Sequence, residues 1–234
     1  MKPVVAIIQA RMTSTRLPGK VLADVGGKPM LARVLERVRA AKSLDATVVA
    51  TTTNAADDPV AALAESLGVT SYRGDEMDVL GRYVGAAHAA DAGTVIRLTA
   101  DCPMIDPGVI DQAVAMFAQG HWQYVSNCMK RTYPDGLDTE VFSRALLEQV
   151  DASVSDAFLR EHVTTYIRRV PGHPAGDFKT GDLVFEADFS HLHWTVDLPK
   201  DLALVRQYFA RLPEDFHWLE AVALATREPA VLLA

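Results

Sequence analysis

The chain has 234 residues, 49% of them hydrophobic, and its 23 Lys and Arg against 30 Asp and Glu give a formal charge of −7. That acidic balance leaves no general attraction for nucleic acid or an anionic membrane, so any polyanion must be met by a local basic cluster. No apolar run approaches the roughly 20 residues of a membrane span, and Gln9 and Arg11 cut the run Val4 to Ile8 too early for a secretory leader, so a cytoplasmic protein is expected.

Val4 to Ile8 is a continuous apolar run, as expected of a parallel strand covered by helices on both faces. A polar segment from Arg11 to Lys20 follows, and from Pro29 the positions Met30, Val34, Leu35, Val38 and Ala41 recur at helical spacing. Ala46 to Thr53 reads as a second strand. Asp57-Asp58-Pro59 opens a helix through Leu67, with its acids at the positive end of the dipole. Val69 to Arg73 reads as extended, Glu76 to Ala90 as helical, and Thr94 to Ala100 as a strand that ends at Asp101 and is broken by Pro103. Asp106-Pro107 begins a further helix.

After about Tyr124 the pattern loosens. Tyr133-Pro134-Asp135-Gly136 is a turn signal, and Leu137 to Phe142 reads as extended. Residues 124–192 are expected to form an inserted region beside the sheet. Ser155 to Arg169 reads as helical, Leu183 to Phe189 and His193 to Val196 as extended, and Pro199 to Leu212 as an amphipathic helix before one last helix. With no repeat or linker, one α/β domain with a mostly parallel sheet is expected over residues 1–234.

Two constellations could carry chemistry. The loop after the first strand, Gln9-Ala10-Arg11-Met12-Thr13-Ser14-Thr15-Arg16-Leu17-Pro18-Gly19-Lys20, puts three cations and several hydroxyls where an open parallel sheet binds its ligands. Guanidinium and ammonium donors there suit a triphosphate, although the loop lacks the P-loop spacing. The second is a pair of carboxylates, Asp101 and Asp197, each where a strand should end. Magnesium takes one or two carboxylates and fills its octahedron with phosphate oxygens and water; either aspartate alone could equally be a helix N-cap. Cys102 and Cys128 have neither metal-ligand nor disulfide-framework spacing. His191 and His193 lack a third ligand nearby, and Asp57-Asp58 and Asp75-Glu76 read as helix starts.

The opening loop resembles the nucleotide-binding loop of the CMP-sugar synthetases, especially the KDO cytidylyltransferases and their spore-coat-polysaccharide relatives. Asp78 to Tyr83, Arg97 to Pro103, Arg160 to Thr164 and Trp194 to Asp201 are similar to segments of that family in the same order. The resemblance implies a Rossmann-like nucleotidyltransferase fold, with Mg2+ held by Asp101 and Asp197 and nucleotide contacts from Gln9, Ala10, Arg11, Ser14, Arg16, Lys20 and Asp101. It puts Arg73 and Arg82 beside the cytosine and ribose. It further implies an acceptor site including Tyr133, Asp135, Asp138, Glu140 and His162, and a homodimer. The Tyr133-to-Glu140 segment departs from the sialate and KDO enzymes and follows the spore-coat branch, which leaves the acceptor open.

The expected reaction transfers CMP from CTP to a small acidic acceptor and releases pyrophosphate, with Arg11, Lys20, Asp101 and Asp197 as the catalytic set. Two rival readings remain at this stage. A nucleotide-sugar-dependent glycosyltransferase would share the sheet and the metal, but the chain has no Asp-x-Asp triplet. A non-catalytic nucleotide-binding protein of a glycan pathway would bind CTP without turnover.

Overall fold

A computed structural model describes residues 2–229. Strand β1 (Val4–Gln9) is the apolar run at the N-terminus, and it pairs in parallel with β4 (Ala46–Thr52) on one side and β6 (Thr94–Thr99) on the other. β5 (Thr70–Gly74) adds a fourth parallel strand beyond β4. Between β1 and β4 lie a short hairpin, β2 (Asp24–Val25) with β3 (Lys28–Pro29), and helix α1 (Met30–Arg39). α2 (Asp58–Ser66), α3 (Val79–Ala89) and α4 (Pro107–Ala118) complete the crossovers. Val5 to Ile8 are fully buried because helices cover both faces of the sheet, which is why β1 reads as an unbroken apolar run instead of an alternating one.

The segment read as lying beside the sheet instead extends it. β7 (Tyr124–Ser126), β8 (Glu140–Ser143) and β9 (Thr180–Asp182) complete a seven-stranded sheet in the order β5-β4-β1-β6-β8-β7-β9. β8 runs antiparallel to both neighbours, so it is the one reversed strand of a mostly parallel sheet. After β8 come α5 (Arg144–Ser153), α6 (Ala157–Glu161) and α7 (Thr165–Arg168), then α8 (Pro199–Arg211) and α9 (Trp218–Arg227).

Three sequence expectations are corrected here. Ser155 to Arg169 is not one helix: Val163, at φ 42, breaks it into α6 and α7, a conformation a β-branched residue adopts only where its surroundings enforce it. Leu183 to Phe189 is not a strand either. Phe185 and Phe189 leave the sheet edge to pack on Trp218 at ring-centroid distances of 4.9 and 5.7 Å, so aromatic packing, not strand pairing, consumes the apolar side chains. His193 to Val196 forms only an isolated bridge, between His193 and Asp135.

Candidate active site

The cationic loop leaves the C-terminal end of β1 and is shaped by its own backbone. Gly19, at φ 73, donates its N–H to the Met12 carbonyl at 2.9 Å and closes the loop; a side chain there would be strained. Lys20 then opens a single 3₁₀ turn, Lys20–Leu22, that directs its side chain inward. A second anchor comes from α2's approach. Asp57 is fully buried and accepts the Met12 N–H at 2.6 Å and the Thr52 hydroxyl. It ties the loop to β4 and does not cap the helix, as its place in the sequence suggests. Glu76 does similar work from the segment before α3, accepting from the Thr13 hydroxyl, from Asn54 Nδ2 at 2.6 Å and from Arg11 Nη1 at 3.4 Å.

The two candidate metal carboxylates meet at this loop. The Val196 N–H donates to the Asp101 carbonyl at 2.8 Å, which lays residues 196–197 against the end of β6. Neither aspartate is spent on a helix cap. Asp106 caps α4 through the N–H groups of Gly108 and Val109. Asp201 accepts from the N–H groups of Asp197 and Leu198 at the start of α8, leaving the Asp197 carboxylate free. Lys20 Nζ donates to Asp101 Oδ2 at 2.8 Å, Asp197 Oδ1 at 2.9 Å and the Val196 carbonyl at 2.8 Å. Arg16 Nη2 reaches Asp197 Oδ1 at 2.9 Å from the solvent side.

Burial alone would lower the Lys20 amine, but Asp101 and Asp197 together hold it above the usual lysine range. Burial likewise pushes Asp101 up, and the charge and hydrogen bond of Lys20 more than offset it, holding the carboxyl below the usual range. Three oxygens therefore converge on one cationic centre. That donor set, two carboxylates and a carbonyl, fits a hard divalent cation completed by phosphate oxygens and water. Among the described residues no group of three or more His, Cys, Asp or Glu converges as a closed metal site.

These groups open onto a cavity of about 320 Å³. Of the residues singled out from sequence, Gln9, Ala10, Arg11, Ser14, Arg16, Lys20, Arg82, Asp101, His162 and Asp197 all line it. The others do not. Arg73 donates to the carbonyls of Thr52 at 2.7 Å and Asn54 at 2.8 Å and pairs with Asp58 at 2.7 Å, bracing the end of β4 from outside the cavity. Tyr133 is 1% exposed and packs on Trp218, with its hydroxyl on Gln112 at 3.2 Å. Asp138 accepts both arms of Arg131 at 2.5 and 2.9 Å, while Asp135 bonds His193 and Thr195. Glu140 is buried behind Arg97 instead of facing the cavity. Those four hold the β7–β8 connection together and do not contact the cavity.

Arg97, Thr99 and Glu161 line the cavity too and were not singled out from sequence. For Arg97 a signal existed. An arginine inside the apolar run Thr94 to Thr99 is expensive to bury, so it announces a buried acid elsewhere in the chain.

The cytidylyltransferase family profile matches residues 5–223. The spore coat polysaccharide biosynthesis protein SpsF of Bacillus subtilis is 34% identical over 239 residues, spanning 98% of this chain and 96% of its own. The 3-deoxy-manno-octulosonate cytidylyltransferase of Solibacter usitatus is 38% identical over 115 residues, 48% of this chain and 44% of its own. Among solved structures, a cytidylyltransferase from Leptospira borgpetersenii superposes with a TM-score of 0.93 at 31% identity, covering 100% of this chain and 98% of that one. The synthetase of CMP and 2-keto-3-deoxy-manno-octonic acid, solved with CTP, shares the fold at a TM-score of 0.66 and 20% identity, over 90% of this chain and 99% of that one. The chain belongs to the cytidylyltransferase family.

Proposed function

We infer that this protein transfers CMP from CTP to a small acidic acceptor, a sugar acid or a phosphorylated or carboxylic acid, and releases pyrophosphate in the synthesis of a surface polysaccharide or related glycan. The observation that carries the reading is the convergence of Lys20, Asp101 and Asp197 beneath a cationic loop at the C-terminal ends of β1 and β6. The names of the relatives, a spore-coat polysaccharide protein and 3-deoxy-manno-octulosonate cytidylyltransferases, support the acidic sugar and the glycan pathway. The CTP bound in the more distant synthetase supports the nucleotide.

In the mechanism we favour, Arg11, Arg16, Ser14 and Lys20 hold the β- and γ-phosphates. The acceptor oxygen bonds to the α-phosphorus in line, the bond to the β-phosphate oxygen breaks, and the electron pair leaves with pyrophosphate. Asp101 and Asp197 would hold Mg2+, which neutralises phosphate charge when bound. The residues' own contribution is positioning and electrostatic stabilisation. Lys20 stays an ammonium throughout the physiological pH range, its three donors on Asp101, Asp197 and the Val196 carbonyl, and it would turn to the departing phosphates as those carboxylates take up the cation. An acceptor that arrives already ionised needs no separate base, and His162, exposed at the cavity rim, lies on its approach.

The chain is proposed to work in the cytoplasm as a homodimer; among the described residues no helix is long and apolar enough to cross a membrane. A pyrophosphate-release screen of the four nucleoside triphosphates against a panel of acidic metabolites, with and without Mg2+, tests the reading. Release confined to CTP, one acidic acceptor and added Mg2+ is expected. Equal release from all four nucleotides, or none with any acid, would refute it.

A further inference from the structure

Beyond the cations of the loop, the cavity lining holds two further guanidinia, Arg82 and Arg97. Arg97 sits inside β6 between Ile96 and Leu98, where a guanidinium must be paired to be buried. Its partner is Glu140, directly opposite in the β6–β8 register. Tyr124 donates its hydroxyl to the other oxygen of Glu140 at 2.6 Å. Burial would raise the Glu140 carboxyl, but Arg97 and Arg168 hold it below the usual range. From that fixed position Arg97 reaches Gln9 Oε1 with Nη2 at 3.3 Å and lines the cavity.

Arg82, also in the lining, is 3% exposed, gives Nη1 to the Asp75 carbonyl at 2.9 Å, and among the described residues pairs with no carboxylate. The Nε atoms of Arg82, Arg97 and Arg168 are all buried without a partner. Arg97 and Arg168 share Glu140, the acids that act most on Arg82 are Asp57 and Glu76 with no ion pair to either, and Arg82 and Arg97 line the same cavity as His162 and Glu161. Breaking up or omitting the partner of a buried charge is strongly destabilising, and burial already drives the Arg82 guanidinium down. A ligand oxyanion would supply the missing charge. In the proposed transfer the triphosphate has its own cations in the loop, on Arg11, Arg16 and Lys20.

We propose that Arg97 and Arg82 form an oxyanion subsite for the acceptor's acidic group, distinct from the cations of the phosphate loop, with Arg82 serving there and not beside the cytosine and ribose as the family resemblance implies, and that Glu140 is a positioning residue that aims Arg97 into it. The inference rests on the proposed CMP transfer and narrows its acceptor. The acceptor carries a carboxylate or phosphate distinct from the oxygen that attacks the α-phosphorus. An Arg fork favours such planar or tetrahedral oxyanions through two parallel N–H contacts.

The test titrates pyruvate and inorganic phosphate into the full chain by ligand-observed NMR, with and without saturating CTP and Mg2+, and measures CTP affinity in parallel by calorimetry. Arg97→Met is compared with Arg97→Lys, with Glu140→Gln and with the double variant R97M/E140Q, which removes the buried pair together and avoids stranding Glu140. Arg97→Met and the double variant should weaken binding of the better anion at least tenfold, Glu140→Gln by a smaller factor, and Arg97→Lys should restore part of it. CTP affinity should stay within about twofold of the wild type in all four. Whether pyruvate or phosphate binds better assigns the acceptor's acid. Unchanged anion binding in the double variant, no anion binding to the wild type, or an equal loss of CTP affinity would overturn the subsite. A wild type that takes the anion through Arg97 yet does not bind CTP would instead overturn the proposed transfer and leave the subsite standing.

Discussion

Replacing Lys20 by methionine keeps most of the side-chain volume and removes the charge that lies between Asp101 and Asp197. Lys20 is 8% exposed and its two partners 26% and 22%, so the triad falls between a surface ion pair, worth 0–1 kcal/mol, and a fully buried one, whose rupture costs about 3–5 kcal/mol. Two unit charges about 4 Å apart interact by roughly 4 kcal/mol at an effective dielectric of 20, and the variant leaves two like charges facing one another. Arg16 remains beside Asp197 but is 61% exposed and offsets little. A loss of about 2–3 kcal/mol at pH 7 follows, or roughly 1 M in the urea midpoint for a chain of this size.

The pH dependence separates this cause from a packing defect. In the wild type the Asp101 carboxyl sits below its ordinary value of 3.8, since Lys20 outweighs the effect of burial. Its contribution to stability is complete above that ordinary value and is lost as pH falls through the depressed one. The raised Lys20 amine contributes fully below 10.5 and is lost only at more alkaline pH, outside the assay window. In Lys20→Met, burial and the facing like charge act on Asp101 against only the weaker hydrogen bonds from Thr99 and the backbone, so protonation relieves the variant as pH drops. The difference between the two proteins should be largest near pH 7 and shrink toward pH 4. Urea unfolding followed through the fluorescence of buried Trp194, close in sequence to Asp197, measures it at each pH. A difference that is constant from pH 4 to pH 8, or a variant as stable as the wild type at pH 7, would refute the electrostatic reasoning.

Asp57→Asn should weaken CTP binding severalfold and lower stability by about 1–3 kcal/mol, because the buried carboxylate holds the Met12 N–H and the Thr52 hydroxyl; calorimetry with CTP and a urea titration check both, and an unaltered CTP affinity would remove Asp57 from the loop's support. Gly136→Ala should destabilise by more than about 1 kcal/mol. Gly136 has φ 110, and a Cβ would stand 2.8 Å from the Trp194 carbonyl carbon and 2.9 Å from the Thr195 nitrogen, displacing the segment that carries Asp197. A thermal melt coinciding with the wild type would show that the segment yields freely.

Much of the scaffold was legible because the central strands are covered on both faces. Burial on both sides favours apolar residues on both faces, so β1 stands out as a continuous run and β4 and β6 as largely apolar ones, and the sheet's C-terminal edge locates Lys20, Asp101 and Asp197. The edge of the sheet was harder to read. β9 has three residues, Thr-Gly-Asp, with no apolar pattern, while the more strand-like Leu183 to Phe189 gives its aromatics to Trp218. Polar residues failed as markers where a partner far away in the chain sets their role. Asp57 looks like a helix start until the fold brings Met12 to it across 45 positions. Glu140 reads as an acceptor contact on an extended segment until β8 lies along β6 and presents it to Arg97.

The transfer itself is tested most directly by following the α-phosphate. With CTP labelled at that position and the acceptor found by the nucleotide screen, the wild type should place the label in the acceptor product and release unlabelled pyrophosphate. Asp101→Asn, folded by its melt and with Lys20 still beside Asp197, should abolish both. Label that stays out of the product in the wild type, or an Asp101→Asn variant that works at the wild-type rate, would contradict the assignment of this cavity.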